Sequence, residues 1–148
     1  VNQSCPNSSR WFAIAFAQVY TQCAMVIRYA SAVITLAGLL ALISGLLFWF
    51  GSAPSLVSMH MLLGVLTVAA LWTIGSAQAI SAGGSWILAA VAFIVGALTI
   101  FIGMNQASMF LGEHHWLIQV SHLILGILSI GVGHMAAARQ RRAAKRSL

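Results

Sequence analysis

Apolar residues run in four long blocks along this 148-residue chain, parted by short clusters of Gly, Ser, Pro, Asn and Gln. A helix that crosses a bilayer needs about 20 consecutive, mostly apolar residues. Residues 29–50, 56–80, 86–104 and 116–138 meet that requirement. The breaker-rich stretches Gly51-Ser-Ala-Pro54 and Ser81-Ala-Gly-Gly-Ser85 close the first two blocks. The polar turn Asn105-Gln-Ala-Ser108, continued by Gly112, Glu113, His114 and His115, separates the third from the fourth. Trp49, Trp86 and Trp116 stand at block ends, where aromatic belts lie. The pattern predicts an all-α integral membrane protein built as an up-down four-helix bundle.

Residues 10–28 read differently. The stretch is apolar but carries Gln18, Tyr20, Thr21 and Gln22, and no turn separates it from the first block. It is expected to form an amphipathic helix lying in the membrane interface, a fifth span over Trp11–Ile27 being the alternative, with residues 1–9 extended. The organisation is then an N-terminal segment (1–28), the bundle (29–138, as two hairpins, 29–80 and 86–138) and a basic tail (139–148). Nothing at the N-terminus reads as a cleavable signal peptide.

Charge adds orientation. The chain is 61% hydrophobic and 5% charged, whereas a soluble domain carries charge on roughly a quarter of its positions. Between Arg28 and Arg139 the only charged residue is Glu113. The net charge of +6 is almost all terminal. It therefore fits the cytoplasmic excess of Lys and Arg and not a nucleic-acid surface. That rule puts the C-terminus in the cytoplasm and predicts a multi-pass protein of a prokaryotic plasma membrane. Gln78 falls at the cytoplasmic interface. Cys5 and Cys23 form no paired metal or haem-attachment motif.

Two patterns repeat inside the bundle. His60-Met-Leu-Leu-Gly64-Val-Leu-Thr67 in the second block returns as His122-Leu-Ile-Leu-Gly126-Ile-Leu-Ser129 in the fourth, 62 residues on. Steps of four and three keep His, Gly and hydroxyl on one helix face. Gly38 and Gly45 in the first block return as Gly96 and Gly103 in the third, 58 residues on. Seven residues are about two turns, so each glycine pair also shares a face. The topology brings His60, His122, Gly45 and Gly103 into one layer near the outer face.

Ionisable residues inside a membrane are costly and usually functional. Two histidines facing each other across a bundle point to axial ligation of one tetrapyrrole iron, with glycines admitting a flat macrocycle. The favoured cofactor is a single bis-His haem b, with His60 and His122 on the metal. Gly45, Gly103, Gly64 and Gly126 would lie around it, and His115 would reach a propionate. Glu113, His114 and His115 form a titratable cluster where a quinone could meet the protein. His134 has Trp72 as its repeat counterpart, which excludes a second bis-His pair. Thr67 and Ser129 are expected to bond to backbone within the bundle.

On these residues the bundle resembles the four-helix haem-b proteins of membranes. These are the cytochrome b of bc complexes, with axial histidines on its second and fourth helices, and each half of haem A synthase. The likeness covers residues 29–138. It departs from cytochrome b in having one His pair, and from haem A synthase in having Leu56 and Val57 where an acidic residue stands. The resemblance implies a redox subunit passing electrons within a respiratory or photosynthetic complex, partnered by lipid and other membrane subunits and not catalytic alone. Alternatives are a non-redox accessory subunit and a chlorophyll-type pigment-binding subunit. No catalytic nucleophile or phosphate loop is present.

Overall fold

The computed structural model of the chain describes residues 8–51, 54–81, 84–110 and 112–146. Residues 1–7, including Cys5, and the tips of the first two turns lie outside the described residues. Among those described, the chain forms four α-helices: α1 (Ser8–Trp49), α2 (Val57–Ile80), α3 (Trp86–Asn105) and α4 (His115–Arg146). A single 3-10 turn, Pro54–Leu56, leads into α2. All four helices are long and apolar enough to cross a membrane, over Ala24–Trp49, Val57–Ile80, Trp86–Asn105 and His115–Ala143. The protein is an all-α four-helix bundle of the multi-pass membrane class.

Two boundaries differ from those expected. The helix over residues 10–28 is not set off from the first span. Helix α1 runs unbroken for 42 residues, about 63 Å at 1.5 Å per residue, and it takes in residues 8 and 9. The reason is local: no Gly or Pro stands between Ser8 and Ala37 to break it. Helix α4 likewise does not stop at Ala138. The tail is made of Ala, Arg, Gln and Lys, all strong helix formers, and it continues the helix to Arg146. Where the breakers do act, they act as expected. Gly51, at φ 68°, closes α1 and donates its N–H to the Phe48 carbonyl at 2.9 Å. Ser85 caps α3, accepting from the Leu88 N–H at 3.3 Å.

Each helix packs on the next in sequence, α4 packs back on α1, and α2 and α4 also meet across the middle. Helices α1 and α3 have no comparable packing. The two histidine-bearing helices are therefore the short diagonal of the bundle. The dense core lies toward the end where α2 stops and α3 begins. There Ile34, Leu71, Ile74, Val132 and Ala136 are buried, and small residues let the helices approach. A Cβ on Gly38 would sit 2.7 Å from Ile130, and one on Gly75 would sit 3.1 Å from the Ala92 Cβ. Outward-facing Leu36, Leu62, Ile94 and Ile127 are exposed, as a surface in lipid allows.

Gln78, two residues before the end of α2, is 1% exposed. Its amide nitrogen donates to the Ala136 carbonyl and its oxygen accepts from the Ser85 N–H at 3.2 Å. Gln140 donates to the Ala77 carbonyl at 3.0 Å. Gln78 and Gln140 are 62 residues apart, the spacing that relates α2 to α4, so the repeat extends to this end. A buried amide left unpaired in apolar surroundings is costly, and here both ends of Gln78 are used.

Candidate functional site at the paired histidines

His60 is the fourth residue of α2 and His122 the eighth of α4. The crossing of these helices brings the rings together, with centroids 6.2 Å apart and planes at 61°. The glycines of the layer lie against them. A Cβ on Gly45 would stand 3.2 Å from His60 Cε1, and one on Gly103 would stand 2.7 Å from His122 Cε1. Each glycine thus makes the space its imidazole occupies. Phe48 closes the other side of His60, edge to face at 5.4 Å.

The two rings are held differently. His60 Nδ1 lies 3.0 Å from the Ala41 carbonyl and 3.0 Å from Ser44 Oγ. The serine hydroxyl in turn donates to backbone, at 2.9 Å from the Leu40 carbonyl or 3.0 Å from that of Ala41. A carbonyl only accepts, so Nδ1 carries the proton and Nε2 keeps a free lone pair. That is how a histidine is set up to ligate a metal, its other nitrogen fixing the tautomer and ring orientation. His122 Nδ1 is buried and has no hydrogen-bond partner among the described residues. The 58-residue spacing explains part of the difference: Ile102 stands on α3 where Ser44 stands on α1, and its side chain offers no acceptor.

Toward the termini the same helix faces continue. Thr67 donates to the Leu63 carbonyl and Ser129 to that of Leu125, each at 2.8 Å, as expected. Ser129 Oγ also lies 3.1 Å from Thr99 Oγ1, tying α4 to α3. Gly64 and Gly126, one turn from the histidines, do not touch the rings. A Cβ on Gly64 would meet nothing within 4 Å, and one on Gly126 only Leu42 at 3.6 Å. These two positions are less closely packed than Gly38 and Gly75 in the core.

The other candidates fall elsewhere. His115 opens α4 and its Nδ1 lies 3.3 Å from the Met109 carbonyl, bracing the preceding loop. Glu113 and His114 are exposed. His134 is exposed, with Nε2 3.1 Å from Thr35 Oγ1. Ser44, Ala41 and Phe48 are partners of His60 that the sequence pattern did not single out. Ser44 was within reach, since it adjoins Gly45 and is a polar residue in an apolar run.

Among the described residues no group of three or more His, Cys, Asp or Glu is placed to hold a metal ion. A metal at the His pair would draw two ligands from the chain and the rest from elsewhere. A tetrapyrrole does that, filling four equatorial positions and leaving two axial ones. Imidazoles bound on opposite sides of one metal, with metal–nitrogen bonds of about 2 Å, stand roughly 6–6.5 Å apart centre to centre. The observed separation falls in that range. The ring planes are free to differ, since each turns about its own bond.

No family model, curated protein or solved structure matches the chain.

Proposed function

We propose that this chain is a small haem-b subunit of a respiratory or photosynthetic membrane complex, with His60 and His122 as the axial ligands. The 6.2 Å between their ring centroids carries the reading. Bound there, a haem supplies a one-electron ferric–ferrous couple. The chain's own residues do the rest. Ala41 and Ser44 fix the His60 ring and leave Nε2 free. Gly45 and Gly103 hold the two rings upright by giving them space. Gly64 and Gly126, one turn from the histidines, present no side chain to a group bound beside them. A chlorophyll-type pigment fits less well, because one ring of that kind takes one histidine and this layer presents two.

The basic residues from Arg139 to Arg146 place the C-terminus on the cytoplasmic side of a prokaryotic plasma membrane in this reading. The histidine layer then lies toward the outer face, beside the loop holding Glu113, His114 and His115, where a quinone or a partner subunit would meet it. The exposed apolar faces contact lipid and neighbouring subunits.

A reduced-minus-oxidised spectrum of the purified protein tests this. The expected result is a haem-b α band at about one haem per chain, lost in both His60→Ala and His122→Ala. A chain without absorbance is an accessory subunit and ends the proposal; a far-red band makes it a pigment protein.

A further inference from the structure

We infer that the two histidines are unequal as ligands: His60 is anchored and His122 is exchangeable, so a small neutral ligand enters on the α3–α4 side. This rests on the haem reading above. The repeat makes the comparison internal to the molecule. Gly45 bears on His60 as Gly103 bears on His122, so the two halves present their rings by the same backbone contact. What differs is the hold on the far nitrogen. His60 Nδ1 has two oxygens at 3.0 Å, one from a backbone carbonyl and one from a side chain that itself donates to backbone. His122 Nδ1 has none and is shielded from solvent as well. The counterparts of Ala41 and Ser44 are Thr99 and Ile102. The Thr99 carbonyl, counterpart of the Ala41 carbonyl, makes no hydrogen bond to His122 Nδ1, and the Ile102 side chain has no polar atom to stand for the Ser44 hydroxyl.

A hydrogen bond from Nδ1–H raises the basicity of the ligating nitrogen and fixes the ring's direction. His60 has both benefits and His122 has neither. His122 is therefore the less firmly positioned imidazole and would be the weaker ligand of the two. Were a haem held by the pair, the incoming ligand would take the place that His122 would hold, with no electron or proton transferred. The ligand class is a small uncharged molecule such as carbon monoxide or another diatomic, because no cation among the described residues is placed at this layer to receive an anion.

The test supplies the missing acceptor. Carbon monoxide is mixed with the dithionite-reduced, haem-loaded full-length protein, and the Soret shift is followed in time. Wild type is expected to bind it. Ile102→Ser, which gives α3 the hydroxyl that α1 has, is expected to slow binding by about two- to twelve-fold, the span of one ordinary hydrogen bond. Ile102→Ala removes the same bulk without adding an acceptor and is expected to bind no more slowly than wild type. Haem content, measured first on each variant, separates the two readings. A protein without haem overturns both. Full haem content with no carbon monoxide shift, or with Ile102→Ser as fast as Ile102→Ala, overturns this one alone.

Discussion

Thr35 Oγ1 lies 3.1 Å from His134 Nε2, joining α1 to α4, at the positions where Phe93 and Trp72 join α3 to α2. That second pair is stacked, with centroids 5.7 Å apart and planes at 24°. Thr35 and Phe93 are 58 residues apart and His134 and Trp72 are 62 apart, so one helix crossing carries two chemistries. The same holds one turn along, where Gly38 receives Ile130 and Gly96 receives Val68. The halves of the bundle repeat as backbone contacts and diverge in side chains. At the His60–His122 layer the residue type itself is kept on both sides.

The glycines separate into those that set helix approach and those that do not. A Cβ on Gly96 would fall 2.9 Å from Val68 Cγ1 and against the Trp72 indole, while one on Gly64 would meet nothing within 4 Å. Gly96→Ala is expected to destabilise the bundle by about 1–3 kcal/mol, the usual cost of overpacking. Gly64→Ala is expected to be neutral or stabilising by up to about 1 kcal/mol, through helix propensity. Unfolding of the two variants in the same detergent decides this. Equal shifts in one direction would show that the packing described is not what these glycines serve.

The helices were legible because their signal is long and local. Twenty apolar residues bounded by Gly-Ser-Pro clusters leave little else to form in a membrane. Boundaries set by the absence of a breaker were harder: nothing in residues 10–28 stops a helix, and polarity alone suggested a division that the backbone does not make. The His60–His122 encounter was readable from a repeat at one depth. The hold on His60 was not, because it depends on which face of α1 turns toward α2, and an Ala carbonyl is invisible in a sequence. The partners of Gln78 were hidden for a related reason: Ala136 and Ser85 come from a distant helix and a turn.

The layer glycines give a graded expectation. Alanine at Gly103 would place a methyl 2.7 Å from His122 Cε1, and alanine at Gly45 would place one 3.2 Å from His60 Cε1. The first forces the ring to move; the second asks a shift of a few tenths of an ångström. If these rings are the ligands of one haem, Gly103→Ala should lower the haem-to-protein ratio by more than half, while Gly45→Ala keeps most of it. Absorbance of the purified variants against protein content measures both. A ratio lowered only by Gly45→Ala would contradict the geometry.

The crossing of α1 and α4 allows the sharpest test of the repeat, because each half holds the design for the other. Replacing both Thr35→Phe and His134→Trp writes the α3–α2 stack into the α1–α4 contact. Either change alone loses the hydroxyl–imidazole bond, which in membrane proteins averages about 0.6 kcal/mol. Thr35→Phe alone faces an imidazole, and His134→Trp alone faces a threonine, so neither gains an aromatic pair. Together they should recover about 0.5–1.5 kcal/mol, the range for a stacked aromatic pair beyond its buried area. His134 is exposed, so the larger indole has space on the lipid side. A double-mutant cycle on unfolding free energy isolates that coupling. A favourable coupling shows that the two crossings share one backbone geometry. A double variant worse than the sum of its singles would show that the crossings differ by more than their side chains.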